Sequence, residues 1–500
     1  MAVFFKKRDQ KPASERETRE RNSYLKSSLD SNLKQLSRCF GSSFDIVTRQ
    51  ITSINGIRMA IIYIDGLTNK DHIHDNIIKP CIEIKFRIDK NQDRIVDIED
   101  FKEYLLSAGD IKTESCIGTL VQKCLCGDTL LLADGSKEAL IIQTRKWQSR
   151  GVPEPKTQQT VRGPGEGFTE TLLFNTALLR RKIKSADLTM EVMQVGTITR
   201  TDIAVAYMKG IADEDLVKRV KQRLQEVDAD YILESGHIEQ LIEDNKRSLF
   251  ATIGNNEKPD VVAAKILKGR VAIIVDGTPF VLSVPMLFVE NFQAPEDYYA
   301  RPYYSNMLRV LRVLAYLTTL LLPGFYVALT TFHQEMIPSK LLLTLVRASE
   351  GVPLPSVLEM FMMLILYDLL REALLRLPTP VGSTVGIVGV LIIGEAAVTA
   401  GIIGSPVIVI AALTFITSAV VNSTVDSVSI LRIVLLFLGA IFGIFGLLVG
   451  VLLILIHLCS IESFGIPYLM PLSPISKRGL DDAVVRMSTE KLVKRRNNDE

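Results

Sequence analysis

Five ionisable side chains stand where the surrounding sequence is otherwise apolar: Asp368, Arg371, Glu372 and Arg376 in one stretch, and Glu395 in the next. On a helix Asp368, Arg371 and Glu372 share a face, because side chains three and four positions apart are neighbours, and Glu372 and Arg376 make a favourable i,i+4 pair. Glu395 is alone within VLIIGEAAVTAG. A lone carboxylate inside a spanning helix costs at least about 2.5 kcal/mol on insertion scales, so it needs a cation, a proton or water. Two chemistries meet that need. One is an ion path or gate that uses Glu395, Asp368, Arg371, Glu372 and Arg376; the other is structural, a salt bridge from Glu395 to Arg371 or Arg376 or a neutral acid.

The elements that carry these residues begin near residue 305, where the composition changes abruptly. A helix needs about 20 mostly apolar residues to cross a bilayer. Stretches 308–332, 381–403 and 430–458 reach that length, 407–421 is shorter and follows Gly404-Ser405-Pro406, and 357–377 is apolar only in its first half. Arg301, Arg309 and Arg312 flank the first stretch, and Lys477, Arg478, Arg486 and an LVKRR run close the chain. Positive charge marks the cytosolic side, so both termini are expected there, with an even number of crossings; four are expected, one apolar segment being interfacial or re-entrant. Gly382/Gly386, Gly439/Gly443 and Gly446/Gly450 are each four apart, which predicts helix-packing faces stripped of side-chain bulk.

Ahead of the membrane part, charges of both signs, turns and short apolar runs alternate as in a globular domain, and no signal peptide is read at the amino terminus. The net charge is +2, and no nucleic-acid partner is expected. Six cysteines without a CxxC pair fit a reducing compartment. Cys124 and Cys126 are expected as buried thiols on one face of a core strand. Leu25, Leu29, Leu33 and Leu36 predict an amphipathic helix over 23–40.

Two segments recur at nearly constant offset. AIIYIDGL from Ala60 is similar to AVAYMKGI from Ala204, and GDTLLLADGS from Gly127 is similar to GRVAIIVDGT from Gly269. A strand ending in Gly66 or Gly210, a charged helix, and an Asp-Gly hairpin in the same order predict a duplicated α/β unit. The expected fold class is therefore an α/β soluble region of two similar tandem subdomains followed by an all-α transmembrane helical bundle. Its expected parts are a polar segment 1–30, a first subdomain 31–150, a Pro/Gly linker 151–168, a second subdomain 169–300, a membrane domain 301–475 and a basic cytosolic tail 476–500.

The run Val161-Arg-Gly163-Pro-Gly165-Glu-Gly167 lacks the spacing of a dinucleotide loop and follows no strand. Five scattered histidines and the absence of HExxH, GxSxG and a cysteine nucleophile signature give no enzyme, no metal site and no cofactor.

Four blocks carry a family resemblance: VRGPGEGFTETLLFNTALLRRKIK from Val161, VGTITRTDIAVAYMKGIAD from Val195, GRVAIIVDGTPFVLSVPMLFVENFQAPEDYY from Gly269, and REALLRLPTPVGSTVGIVGVLIIGEAAVTAGIIGSP from Arg371. In order and over most of the chain they resemble the A subunits of the spore germinant receptors of endospore-forming bacteria. The stretch AVVNSTVDS after Ser418 departs from the pattern, in which many relatives have a proline, and the first 30 residues match nothing specific. The resemblance implies a protein of the spore inner membrane with its soluble region on the core side. It implies a permease-like B subunit, to which nutrient binding is mainly attributed, and a lipoprotein C subunit as partners. It also implies a homo-oligomer whose membrane helices form an ion-conducting path that helps trigger germination. Two alternatives are a non-conducting scaffold or signal-relay subunit and a paralogue serving dipicolinic acid release; a small-molecule enzyme site in a cleft between the paired units is a third class.

Overall fold

Strand β2, Arg58–Ile64, buries Met59 and Ile61 on one face and Ala60, Ile62 and Ile64 on the other. A strand apolar on both faces must lie inside a sheet covered on both sides. In the computed structural model, which describes residues 23–54, 56–83, 102, 105, 109–146, 163–376, 394–421, 424–475, 482–483 and 485–487, that sheet holds β1 (Ile46–Thr52), β2, β3 (Ile111–Glu114), β4 (Thr129–Ala133) and β5 (Ala139–Ile142) in the order 1-2-4-5-3. Helices α1 (Leu29–Phe40) and α2 (Ile117–Leu125) cover one face through Leu29, Leu36, Leu120 and Cys124. Ile73, Ile77, Ile78 and Cys81, from the helical residues between Lys70 and Glu83, cover the other.

A second sheet repeats the design with β6 (Leu188–Val195), β7 (Thr201–Met208), β8 (Gly254–Asn256), β9 (Val271–Val275) and β10 (Val281–Val284) in the order 6-7-9-10-8. The two orders correspond strand for strand, and every pairing is antiparallel. Helices α3 (Leu172–Lys182) and α6 (Pro259–Leu267) pack on one face; α4 (Glu214–Gln225) and α5 (Ser235–Ile242) complete the subdomain. The recurring Asp-Gly turns do the same work in each copy. Asp134 Oδ1 accepts from the Leu29 amide at 3.0 Å, and Asp276 Oδ1 accepts from the Leu172 amide at 2.8 Å, so each turn caps the first helix of its own subdomain. Gly135 and Gly277 follow at φ 93° and 91°, a conformation that favours glycine.

Cys124 does not lie on a strand. It is in helix α2, fully buried, and Cys126 caps that helix. The short apolar run around it fits either period, and the glycine turn at 127 after Cys126 ends a helix before β4 begins. Burial pushes the Cys81 thiol up to about 12 and the Cys124 thiol higher still, so both stay protonated. The amphipathic helix expected over 23–40 starts at Leu29; Leu25 precedes it in extended chain and is buried in the same core.

These two subdomains belong to one unit, Met1–Lys246 with Ile253–Met286; the other unit is Arg247–Thr252 with Leu287–Glu500. The second unit is helical: α7 (Pro302–Phe332), α8 (Ser339–Ser349), α9 (Ser356–Arg376), α10 (Ser405–Val420) and α11 (Val425–Ser460). Helices α7 and α11 are long and apolar enough to cross a membrane. Continuous in sequence, α11 is nevertheless a hairpin. Gly443 has φ 62° and ψ −146°, and a methyl group on Gly450 would meet the Leu435 side chain at 2.5 Å. Fifteen residues of straight helix would separate those two by about 22 Å, so the chain doubles back at Gly443. The single span expected over 430–458 is thus two antiparallel arms, 425–442 and 444–460, each about 26 Å long and comparable with the roughly 30 Å hydrocarbon core of a bilayer.

Packing defines two ends of this unit. At one, Phe292, Tyr316, Val421 and Val428 form a common cluster. At the other, Phe332 and His333 abut the Gly443 turn, and Glu359 of α9 meets Gly404 at the start of α10.

Candidate functional site

Helix α9 brings Asp368 to its partner. Asp368 Oδ2 accepts from Arg432 Nη2 at 2.5 Å, with the Arg432 side chain 4% exposed and that of Asp368 28%. Tyr367 stacks on Phe415 of α10 at 5.3 Å, which fixes the neighbouring turn of α9. One turn further, Glu372 and Arg376 form the expected i,i+4 pair at 2.5 Å on the exposed face of the helix. Arg371 is half-buried and makes no ion pair among the described residues. The sequence placed Asp368, Arg371 and Glu372 on one face; the structure turns Asp368 towards α11 and leaves Glu372 and Arg376 outward.

Glu395 follows Gly394, which packs against Ile408 one turn into α10. Its side chain is exposed on the outside of the helical unit and is ion-paired to neither Arg371 nor Arg376. It sits near the start of α10 and makes no ion pair with any of the other four, so the five predicted residues do not form one ion-paired cluster. Gly382 and Gly386, like Asn422, lie outside the described residues.

The remaining glycines are places of close approach. Gly439 faces Gly324 of α7, where a methyl group would stand 2.7 Å from the Gly324 carbonyl oxygen. Pro323 precedes Gly324 and lies inside α7. Gly446 and Gly450 face the first arm of the hairpin at Leu438 and Leu435. Gly443 departs from the packing role its spacing predicted: it is the turn itself, because only a residue free to adopt positive φ reverses the chain there.

Three groups escaped the sequence reading. Glu359, 2% exposed, accepts from the Gly404 amide at 2.6 Å, holding a carboxylate at the start of α10, where the helix dipole favours it. Arg432, in the long apolar run, is the counter-ion of Asp368. At the opposite end, Asp297, 1% exposed, receives Arg309 at 3.0 Å and Arg312 at 2.8 Å. Arg309 also binds Asp482 at 3.0 Å, and Arg486 donates to the carbonyls of Asp297 and Ala300, so the described residues of the expected basic tail pack on the start of α7. Arginines in or beside an apolar stretch were the available signal for Arg432 and for the Asp297 cluster; nothing local marks the Glu359 contact or the tail contact.

Among the described residues, the buried polar atoms of the helical unit without a hydrogen-bond partner include Arg309 Nη2, Tyr316 OH, Tyr367 OH, Ser429 Oγ and Arg432 Nε. Tyr367 adjoins Asp368, and Ser429 is nearly one turn before Arg432. Among the described residues no cluster of histidine, cysteine or carboxylate side chains could hold a metal ion.

Paired α/β subdomains joined to a helical unit with ionised groups in its interior define a class of membrane-associated protein with a soluble domain. The family model of the Bacillus/Clostridium GerA spore germination proteins matches residues 34–498, and the chain belongs to that family. It is 43% identical over 473 residues to spore germination protein KA of Bacillus subtilis strain 168, covering 94% of this chain and 86% of that protein. It is 40% identical to the uncharacterized membrane protein YfkQ of the same strain, covering 92% and 88%. A crystal structure of the N-terminal domain of the A subunit of the Bacillus megaterium spore germinant receptor GerK3 is similar to 53% of this chain and 98% of its own length, at 36% identity and TM-score 0.43.

Proposed function

We propose that this chain is the A-type subunit of a spore germinant receptor, seated in the spore inner membrane and contributing to an oligomeric ion-conducting path that opens during germination. Its partners are a permease-like B subunit and a lipoprotein C subunit, and the soluble region and both termini lie on the core side. In this reading the membrane is crossed six times, by α7, α9, the apolar stretch 381–403, whose residues 381–393 lie outside the described ones, α10 and the two arms of the α11 hairpin. This reading has six crossings where four were expected from the sequence, because the hairpin counts twice and no apolar stretch is left interfacial, and the even number keeps both termini on one side.

The observation that carries the conducting role is the set of unpartnered polar atoms around the Asp368–Arg432 pair. Buried hydroxyl and guanidinium groups need partners, and water along a path supplies them at the place where a charged pair already lowers the cost of an ion. The outward, unpaired Glu395 favours an oligomer, since a carboxylate at the surface of one copy gains solvation where copies surround water. In spores, Asp368→Asn or Glu395→Gln is expected to alter ion release while the assembled complex persists. Unchanged release in both variants would reject this assignment.

A relay reading is favoured by the pairing of Asp368 with Arg432 and of Glu372 with Arg376, which a bundle serving only as an anchor also requires. It predicts an intact purified oligomer that conducts nothing while the soluble region still binds a partner. Service in dipicolinic acid release would appear as loss of dipicolinate efflux with nutrient-triggered cation release intact.

A further inference from the structure

Helix α8 has no buried residue although it is mostly apolar: Leu341, Leu343 and Val346 are 51%, 60% and 57% exposed. Lys340, Thr344 and Arg347 form one row at spacings of four and three, with Ser339 and Ser349 outside it at the two ends of the helix. On the opposite side of the helix Val346 is exposed and Leu342 and Leu345 are half-buried. Both ends of α8 are tied to the same end of the helical unit. On its amino-terminal side His333 abuts the Gly443 turn, and on its carboxy-terminal side the Ala348 carbonyl lies beside Gly404, which Glu359 caps. A helix of 11 residues, about 16 Å long, held at both ends by turns on one end of a bundle, runs across that end and not along its length.

We propose that α8 lies flat in the bilayer surface on the side opposite the chain termini, with its Leu342/Leu345/Val346 row in the acyl boundary and Lys340 and Arg347 reaching anionic lipid headgroups. This rests on reading the helical unit as membrane-spanning. The occupant is lipid because the helix has two cations and no acid, and because the chain leading into it also exposes apolar side chains, Phe332 at the end of α7 and Met336 in the turn that follows, 48% and 63% exposed. An amphipathic helix with basic residues on the polar face and an aliphatic row opposite is the form that interfacial binding selects.

The test uses the full chain in vesicles of phosphatidylcholine and acyl-brominated phosphatidylglycerol. Trp147, the only tryptophan, is replaced by Phe, and single tryptophans are placed by Val346→Trp, Thr344→Trp and, as a control in α7, Leu317→Trp. Bromine quenching of Val346→Trp is expected to be at least about two-fold deeper than that of Thr344→Trp, and to weaken when Lys340→Glu and Arg347→Glu are added. Equal quenching at both positions, or a shielded Val346→Trp with disulfide capture between copies by Val346→Cys, would overturn the proposal and, in the second case, assign the face to a neighbouring subunit. Leu317→Trp separates the two levels of the argument. If it is quenched while α8 shows no difference, the membrane reading stands and the α8 proposal fails; if it too is unquenched, the membrane reading itself fails.

Discussion

Arg180→Ala is the sharpest perturbation of the soluble unit. Arg180 of the second subdomain is 0% exposed and Asp45 of the first is 1% exposed. Arg180 Nε meets Asp45 Oδ2 and Arg180 Nη2 meets Asp45 Oδ1, both at 2.9 Å. Arg180 also donates to Ser43 Oγ at 3.0 Å and to the carbonyls of Ser185 and Leu188 at 3.0 and 3.1 Å. Beside this pair the Phe44 amide donates to the Met190 carbonyl at 3.1 Å, and the Met190 amide donates to Ser43 Oγ at 3.2 Å. Removing the guanidinium leaves a carboxylate buried between the subdomains, a loss of about 3–5 kcal/mol. At about 1.4 kcal/mol per tenfold, hydrogen exchange at the Phe44 and Met190 amides of the full chain should accelerate by roughly 100- to 4,000-fold. Replacing both partners by apolar residues, Arg180→Met with Asp45→Leu, should restore most of the protection, because a buried ion pair and a packed apolar pair differ little in net stability. Acceleration below about five-fold in Arg180→Ala, or a double variant in which the two single losses simply add, would refute the reasoning.

Burial beside Glu243 and Glu234 raises the Glu239 carboxyl from its ordinary 4.5 to about 7. A raised acid costs stability once ionised, so the contribution of α5 is intact below about pH 4.5 and is lost as pH rises through about 7; exchange of α5 amides should speed over that window, and Glu239→Gln should flatten the profile. Gly443→Ala forces a side chain into positive φ, at about 1–2 kcal/mol of strain, and against His333, so it should lower the thermal midpoint of the detergent-solubilised chain more than Gly277→Ala, where a methyl group meets nothing within 4 Å. Asp297→Ala leaves Arg309 and Arg312 without their shared carboxylate and should destabilise the helical unit by about 3–5 kcal/mol, whereas Glu372→Ala, which breaks an exposed pair, should cost no more than about 0.5 kcal/mol; unfolding of the two variants in the same detergent compares them directly.

The soluble architecture was legible because duplication writes the same local requirement twice. Gly66 and Gly210 end equivalent strands, and Asp134 and Asp276 cap equivalent helices, so residue types that serve the backbone recur even where the core side chains differ. The strand assigned to Cys124 failed for a local reason: a short apolar run has no decisive period, and burial alone does not distinguish a helix from a strand. In the helical unit, hydropathy located the apolar residues but not the reversal inside them. Gly443 is one glycine among several at helical spacing, and only its backbone conformation separates a turn from a packing face. The i,i+4 pair Glu372–Arg376 is a local fact and was read; Asp368 with Arg432, Glu359 with Gly404, and Asp297 with Arg309 and the 482–486 tail join residues from 12 to 189 positions apart, in contacts that only tertiary packing creates.

The proposed conducting role rests on the polar interior around Asp368 and Arg432 and on the outward Glu395, and ion flux through liposomes tests it directly. The purified full chain, checked for its oligomeric size, would be compared with Asp368→Asn and Glu395→Gln at equal incorporation. Flux from the unaltered oligomer that changes in either variant is the predicted result. An intact oligomer that passes no ions, alone or together with its partner subunits, would contradict the account and leave the helical unit as the anchor of a signal relay.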